Sequence, residues 1–189
     1  MKLEVKADLS RLKQGLKKLG QDIAANDKAT ARAINKATAL GRTEMARAIR
    51  DEFMLTVSKA REKLQVRKAF AGKGTLTISG ELFSKDPSGR RRAINLASFG
   101  AKATRKGLTV KIKRGGPRVV LRAGFLGNKG RTAFERKGAK RLPIKPLQTI
   151  DVPQMFNTRR INLRVRARIE AALPELVERE LRFILKGGA

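Results

Sequence analysis

Lysine and arginine are the most numerous side chains in this sequence that could do chemistry. The chain carries 45 of them against 16 acids, a formal net charge of +29. Because Lys and Arg bind phosphate groups without reading base sequence, their clusters predict a surface that faces a polyanion or an acidic protein. The alternative is a solvated surface that only aids solubility. The candidate residues for this surface are Arg90, Arg91, Arg92, Lys102, Arg105, Lys106, Lys113, Arg114, Arg136, Lys137, Lys140 and Arg141.

Catalytic chemistry has little support in the residue types. The sequence contains no Cys and no His, so the commonest nucleophilic thiol, general base and metal ligand are all missing. The glycine clusters lack the spacing of a phosphate-binding loop and are typical of turns. We therefore expect no enzymatic activity, no cofactor and no metal.

The carboxylates also have a structural interpretation. Glu175, Glu178 and Glu180 have the spacing of a solvated helix face with ion pairs inside the helix. Asp51 and Glu52 follow a basic stretch and are expected to pair with the arginines just before them. Neither group is expected to form a two-carboxylate catalytic site.

The positive charge is uneven along the chain. Residues 64–150 contain 22 bases and three acids, whereas residues 1–63 have a net charge of +7 and residues 151–189 of +3. The middle region therefore has a field that a polyanion or an acidic surface must offset. No apolar run approaches the length of a membrane span, and no signal peptide is visible. We expect a soluble protein made in a cytoplasm, without a membrane partner.

The elements that position these groups begin with a mainly helical part, residues 1–64. Alternation predicts a strand at residues 2–6, and apolar spacing predicts a helix from about residue 9 to residue 23. A longer helix is predicted at 27–53, and a short helix capped by Ser58 at 59–64. The predicted buried face of the longer helix consists mostly of small residues: Ala29, Ala33, Ile34, Ala37, Gly41, Met45, Ala48, Ile49 and Phe53.

Residues 65–150 form the predicted basic, β-rich part. Alternating runs punctuated by glycine predict antiparallel strands at residues 75–78, 108–112 and 119–123. Residues 114–117 suit a hairpin turn, and residues 85–92 are predicted to be a polar loop.

Residues 151–189 are predicted to be a long helix that starts at Asn157 or Thr158, with Pro174 kinking it or starting a new helix. Its apolar stripe is Ile161, Val165, Ile169, Ala172, Leu173, Leu176, Val177, Leu181, Ile184 and Leu185. The predicted fold is α+β, a single domain over residues 1–189, with N-terminal helices, a central antiparallel sheet with Gly-rich turns and a long C-terminal helix.

Three parts of the sequence resemble a known family. They are the Ala-rich basic helix from Ala31 to Arg50, the segment from Ile94 to Gly107, and a stretch that includes Arg136-Lys137-Gly138, Arg141-Leu142-Pro143-Ile144 and Pro153-Gln154-Met155-Phe156. Together they resemble the phage minor tail protein Z family, over most of the chain and least at residues 65–92.

The resemblance implies a structural, non-enzymatic virion protein made in the host cytoplasm. It implies that the protein completes the head-proximal end of a long tail so that the tail can join a filled head. It further implies a homo-oligomeric ring, a hexamer matched to the sixfold tail tube, with other tail and connector proteins as partners. The positive charge adds DNA backbone in the channel as a further candidate partner. The resemblance carries over no catalytic residue.

The Pro-rich segment offers candidates for contact between subunits, because Pro pre-orders the chain and ring closure needs two different patches. These candidates are Leu142, Pro143, Ile144, Leu147, Met155 and Phe156. The alternative is that residues 142–147 are only a packed connector within one subunit. A different class of function, sequence-nonspecific nucleic-acid binding through the basic β-rich region, explains the charge alone.

Overall fold

The computed structural model describes residues 2–8, 23–70, 77–84 and 93–186. Strands and helices alternate irregularly, and the long helices flank the β-rich middle region. Their order is β1 (Lys2–Asp8), α1 (Ile23–Glu52), α2 (Val57–Glu62), β2 (Gln65–Arg67), β3 (Thr77–Phe83), a 3-10 helix (Leu96–Phe99), β4 (Lys102–Thr104), β5 (Gly107–Val110), β6 (Val119–Leu121), β7 (Gly124–Gly127), β8 (Thr132–Arg136), β9 (Ile144–Pro146), α3 (Val152–Phe156) and α4 (Arg159–Leu185).

The predicted α+β class is confirmed, and the described antiparallel strands form three small sheets. Sheet 1 has the order β1-β3-β2, sheet 2 the order β4-β5-β6, and sheet 3 the order β7-β8-β9. In sheet 1 Phe83 lies opposite both Lys2 and Gln65, so the N-terminal strand joins a sheet of the middle region. Residues 1–64 therefore contribute a strand as well as helices. This strand pairs with β3 because its backbone N–H and C=O groups need hydrogen-bond partners.

Helix α1 is the centre of the fold, and every residue of its predicted small face is buried. It packs on α4 along one side and on β3 along another. Glycine permits both close approaches. A Cβ on Gly41 would lie 2.5 Å from Ile169 Cδ1 of α4, and a Cβ on Gly80 of β3 would lie 2.8 Å from Ile34 Cγ2 of α1.

The caps of the two short helices differ from the prediction. The Thr56 hydroxyl accepts from the Lys59 amide and caps α2, so Ser58 is not the cap. Helix α3 was not predicted. It begins at a capping box, in which Asp151 accepts from the Gln154 amide at 2.9 Å and the Gln154 side chain accepts from the Asp151 amide at 3.1 Å.

Helix α4 begins after Thr158, as predicted, although the Thr158 side chain does not cap it. It continues through Pro174 as one helix, so a new helix does not start there. The first part of its predicted stripe is fully buried at Ile161, Val165 and Ile169. Beyond these its described members, from Ala172 to Ile184, are only half-buried, so this stripe is partly open to solvent in the C-terminal half of α4.

Several predictions lie outside the described residues. These are the helix from residue 9 up to residue 22, the first two residues of the strand at 75–78, and the polar loop at 85–92 with Arg90, Arg91 and Arg92.

Candidate functional site

The nine described residues of the predicted basic surface are all exposed, but they lie on three separate connections. Lys102, Arg105 and Lys106 belong to β4 and its turn into β5. Lys113 and Arg114 lie in the connection from β5 to β6, at the opposite end of sheet 2. The third connection, from β8 to β9, follows Arg136 and carries Lys137, Lys140 and Arg141.

The β5–β6 connection has a structural task that the sequence did not indicate. Arg114 Nε donates to the Arg50 carbonyl at 2.7 Å, and the Arg114 amide donates to the Glu52 carbonyl at 2.8 Å. The last carbonyls of a helix have no partner inside the helix, and a nearby cation favours that end of the helix dipole. Arg114 therefore fastens sheet 2 to the C-terminal end of α1, where the predicted hairpin turn is confirmed.

A cleft beside sheet 2 is lined in part by Arg122, a basic residue that was not among the predicted candidates. Its walls include Arg105, Lys106, Val120 and Arg122. Val120 is exposed on the edge strand β6, between Arg118 and Arg122 in sequence. The cleft is open and its basic side chains are exposed, which suits loose contact with an anion and not an enclosed binding site.

Sheet 3 has two faces of different character, as alternation along a strand requires. Ala133 is fully buried and Leu126 packs against the core on one face. On the other face Phe125 lies opposite Phe134, with the ring centroids 5.9 Å apart and the planes at 29°. No local pattern in the sequence indicates this pair, because the register of sheet 3 brings the two rings together.

The outer face of sheet 3 continues onto β9. Phe134 lies opposite Pro146, and Arg136 lies opposite Ile144. The Arg136 guanidinium stands over the Phe125 ring, 5.0 Å from its centroid. We call this surface the phenylalanine face; its residues are Phe125, Phe134, Arg136, Ile144 and Pro146.

The predicted contact residues divide between surface and core. Leu142 is 65% exposed and Ile144 39% exposed, and Pro143 is exposed between them. Met155 and Phe156 are 1% and 0% exposed, in the hydrophobic core, because α3 turns them inward. A buried side chain offers a neighbouring subunit no surface, so the structure removes Met155 and Phe156 from the contact candidates.

Leu147 marks the point where the exposed segment becomes a packed connector. Its amide donates to the Ala133 carbonyl at 2.8 Å, and its carbonyl accepts from the Leu96 amide at 3.0 Å. Asn95 reinforces this junction with its side chain, which donates to the Ala133 carbonyl at 3.0 Å and accepts from the Ala133 amide at 2.7 Å. Residues 142–146 thus remain available at the surface, whereas Leu147 belongs to the subunit interior.

The model of the family described as prophage minor tail protein Z (GPZ) matches residues 10–187. The chain belongs to the prophage minor tail protein Z family. No curated protein and no solved structure matches it.

As a member of the minor tail protein Z family, the protein is a structural component of a phage tail and belongs to the virion. Its contacts are therefore with other virion proteins. Among the residues that the structure describes, none of the helices is long and apolar enough to cross a membrane. No group of three or more His, Cys, Asp or Glu side chains within the same ranges is placed to hold a metal ion.

The ion pairs of this minor tail protein connect its two long helices. Glu180 of α4 was predicted to be solvated, but its side chain is 4% exposed. It accepts a hydrogen bond from Lys36 of α1 and lies 4.0 Å from the Arg32 guanidinium. The prediction failed because Glu180 is on the side of α4 that faces α1, which the local spacing of charges does not reveal.

A second pair of acids holds the other end of the same helix pair. Asp51 pairs with Arg50 at 2.8 Å, as expected, and also with Arg164 of α4 at 3.2 Å. Glu52 accepts from Arg160 of α4 at 2.6 Å and does not pair within α1. The hydrogen bond from Arg50, followed by the charge of Arg50 and the contacts from Arg164, lowers the pKa of Asp51 below its ordinary value of 3.8.

Proposed function

We propose that this minor tail protein completes the head-proximal end of the tail and enables the tail to join a filled head, as a homo-oligomeric ring of six copies. The observation that carries the proposal is the family match over residues 10–187, together with the resemblance of its basic and Pro-rich segments to proteins of that role. The role needs binding surfaces and no chemistry, so we propose that the protein is not an enzyme.

The distribution of charge supports a protein that binds an acidic surface. Residues 93–150 contain 15 Lys and Arg and one acid, Glu135, which Lys145 holds at 2.9 Å. Repulsion among so many cations costs free energy in the isolated chain, and a partner of opposite charge offsets that cost. The nine described candidates, from Lys102 to Arg141, all remain solvent-exposed for such contacts.

Exposed apolar side chains support assembly into a ring. Leu142 and Ile144 extend from the basic part, and Leu163 and Phe183 are 55% and 49% exposed on α4. A cyclic ring of identical subunits needs two different patches on each subunit, each complementary to the other. Leu142, Pro143 and Ile144 are retained as proposed contact residues for one of these patches.

Nucleic-acid binding remains a second candidate on one observation, the cleft lined by Arg105, Lys106 and Arg122. Exposed cations of this kind contact phosphates and read no bases. A DNA-binding role predicts affinity that falls steeply with salt, in proportion to the phosphates neutralised. A tail role predicts stable association with tails at physiological salt.

The experiment is deletion of the gene from its phage, with the wild-type gene supplied in trans as the control. The proposal predicts full heads and separate or defective tails in the deletion lysate, and joined infectious particles after complementation. Infectious particles at the wild-type titre in the deletion lysate would refute it. Tight duplex binding by a purified protein that never joins tails would favour the nucleic-acid role.

A further inference from the structure

The most acidic part of this basic protein is a short surface of α4. Residues 169–178 contain three Glu and neither Lys nor Arg. Helical periodicity places Glu170, Pro174 and Glu178 in one row with Ala171 and Glu175 beside it, and all five residues are exposed. We call these five residues the acidic face.

The acidic groups are free to change partners. Glu170 pairs with Arg166 at 2.9 Å and Glu178 pairs with Arg182 at 2.5 Å, both on the helix surface. Exposed pairs of this kind contribute little free energy, so a new partner can replace them at small cost. Glu175 forms no ion pair among the residues that the structure describes.

The phenylalanine face has the complementary chemistry. Arg136 stands on this face, and three further exposed cations, Lys137, Lys140 and Arg141, follow it in the β8–β9 connection. Glu135 alternates to the other side of β8, where it pairs with Lys145. The charged residue of the phenylalanine face is therefore a cation, and the connection that follows it contains cations and no acid.

We propose that the phenylalanine face of one copy binds the acidic face of the next copy, and that this contact closes the ring. The inference rests on the proposed ring and names its two patches. Ala171 and Pro174 would meet the apolar centre, while Glu170, Glu175 and Glu178 would meet the surrounding cations. Opposite charges at a contact set its register and exclude pairing of the phenylalanine face with itself.

The placement of the two faces suits a head-to-tail contact. The acidic face lies on α4, which packs mainly on α1, whereas sheet 3 packs mainly on sheet 2 and the 3-10 helix. The two faces thus lie on elements that pack against different parts of the fold, and we infer that each copy can offer both at once. That is the condition for a heterologous interface that closes by rotation.

Stacking of nucleic-acid bases fits the phenylalanine face less well. The Phe125 ring already has Phe134 beside it and the Arg136 guanidinium over it. Phe134 in turn lies against Gly127, where an added Cβ would come within 2.8 Å of the ring. Base stacking needs a free aromatic face, and both rings are already in contact with protein groups.

The test is a charge exchange between the two faces, followed by sedimentation velocity of the purified full chain. Arg136→Glu with Lys137→Glu reverses the charge at the phenylalanine face, and Glu175→Lys with Glu178→Lys reverses the charge of the acidic face. Each reversal alone should weaken self-association about tenfold or more, since opposed charges become like charges. Both reversals in one chain should restore the wild-type association.

The matched control reverses the two exposed arginines that flank the edge strand β6 of sheet 2, Arg118→Glu with Arg122→Glu. It changes the net charge by the same amount as the first reversal, at residues outside both faces. Combined with the Glu175 and Glu178 reversals it should restore nothing. Equal rescue by this control would show an effect of net charge alone and would overturn the inference.

A second measurement uses the absence of cysteine in the native chain. The double variant Ile144→Cys with Ala171→Cys, treated with a short bis-maleimide, should give a ladder of covalent oligomers, both free and bound to purified tails that lack the protein. Each single variant should give no ladder. The pair Val120→Cys with Ala171→Cys is the control, since Val120 is similarly exposed on another strand.

Three results would overturn the inference. One is a wild-type chain that does not self-associate either free or on tails. Another is no ladder from the Ile144 and Ala171 pair, or an equal ladder from the control pair. The third is a reversal at the phenylalanine face that abolishes binding of a DNA probe, or of tails, while the reversal at the acidic face has no effect. The partner of the phenylalanine face is then nucleic acid or another protein.

Failure of this inference and failure of the proposed function give different results. Variants that cannot self-associate through these faces but still join heads at the wild-type level would refute the inference alone. A ring that forms through both faces in particles that never join heads would support the inference and refute the head-joining role.

Discussion

Replacing Glu180 by Gln tests the packing of α4 on α1 most sharply. The carboxylate is 4% exposed, whereas the side chains of Lys36 and Arg32 are 52% and 37% exposed. Gln keeps the shape and an acceptor, so the main loss is charge assistance, which roughly doubles the strength of a hydrogen bond. With net values of about 0.5–1.5 kcal/mol for neutral bonds and about 1.5–3 kcal/mol for charged ones, the loss is about 1 kcal/mol. In the variant, water solvates the half-exposed side chains of Lys36 and Arg32, which keeps the loss in the free energy of unfolding from exceeding this value.

The assay is reversible denaturant unfolding of the wild type, the two single variants Glu180→Gln and Lys36→Met, and the double variant. Because the two side chains contact each other directly, the cycle should give a coupling energy of about 1 kcal/mol. In thermal unfolding Glu180→Gln should lower the Tm by about 2–4 °C for a chain of this size. Glu178→Gln is the matched control: its pair with Arg182 is on the surface, so its cost should stay below about 0.5 kcal/mol.

A Glu180→Gln cost no larger than that of Glu178→Gln would refute the buried pair. Strict additivity of the Glu180 and Lys36 changes would refute the direct contact between α4 and α1 at this point. Either result would mean that the two helices are held by their apolar faces alone.

Three further predictions concern stability. Gly80→Ala should cost about 1–3 kcal/mol because the new methyl group overpacks the contact of β3 with α1, whereas Gly138→Ala, with open space around it, should be near neutral in the same denaturant titration. Asn95→Asp removes the donor to the β8 carbonyl and turns a carboxylate oxygen toward it, so it should cost about 1–3 kcal/mol, and an Asn95→Ala variant of equal stability to the wild type would contradict this role. The pKa of Asp51 is lowered in the folded state, so its ion pairs stabilise the folded protein above the ordinary pKa of an aspartate. This stabilisation is lost as the pH falls through the folded-state pKa. The free energy of unfolding should therefore fall less between pH 6 and pH 2 in Asp51→Asn than in the wild type.

The sequence was sufficient to predict the two long helices, the buried face of α1 and the first part of the buried face of α4. The small-residue face of α1, from Ala29 to Phe53, is buried throughout, because periodicity over a long helix averages out local errors. The turn at residues 114–117 was predictable from its glycines and proline. The β-rich character of the middle region followed from alternation.

Short elements and long-range pairs were not predictable. Strands β2, β4 and β9 have three residues each, too few for a periodic signal, and backbone pairing with a distant partner decides them. The outward side of Phe125 and Phe134 depends on the register of sheet 3, which a one-residue shift would invert. Glu180 and Glu52 pair with another helix more than 100 residues away in sequence, and no local pattern of charges contains that information.

The direct test of the central claim is the position and copy number of this protein in purified wild-type tails, determined by cryo-electron microscopy. The account predicts a closed ring of six copies at the end of the tail that joins the head, with the phenylalanine face of each copy against α4 of the next. Copies distributed along the tube, located at the distal tip, or present singly would contradict it.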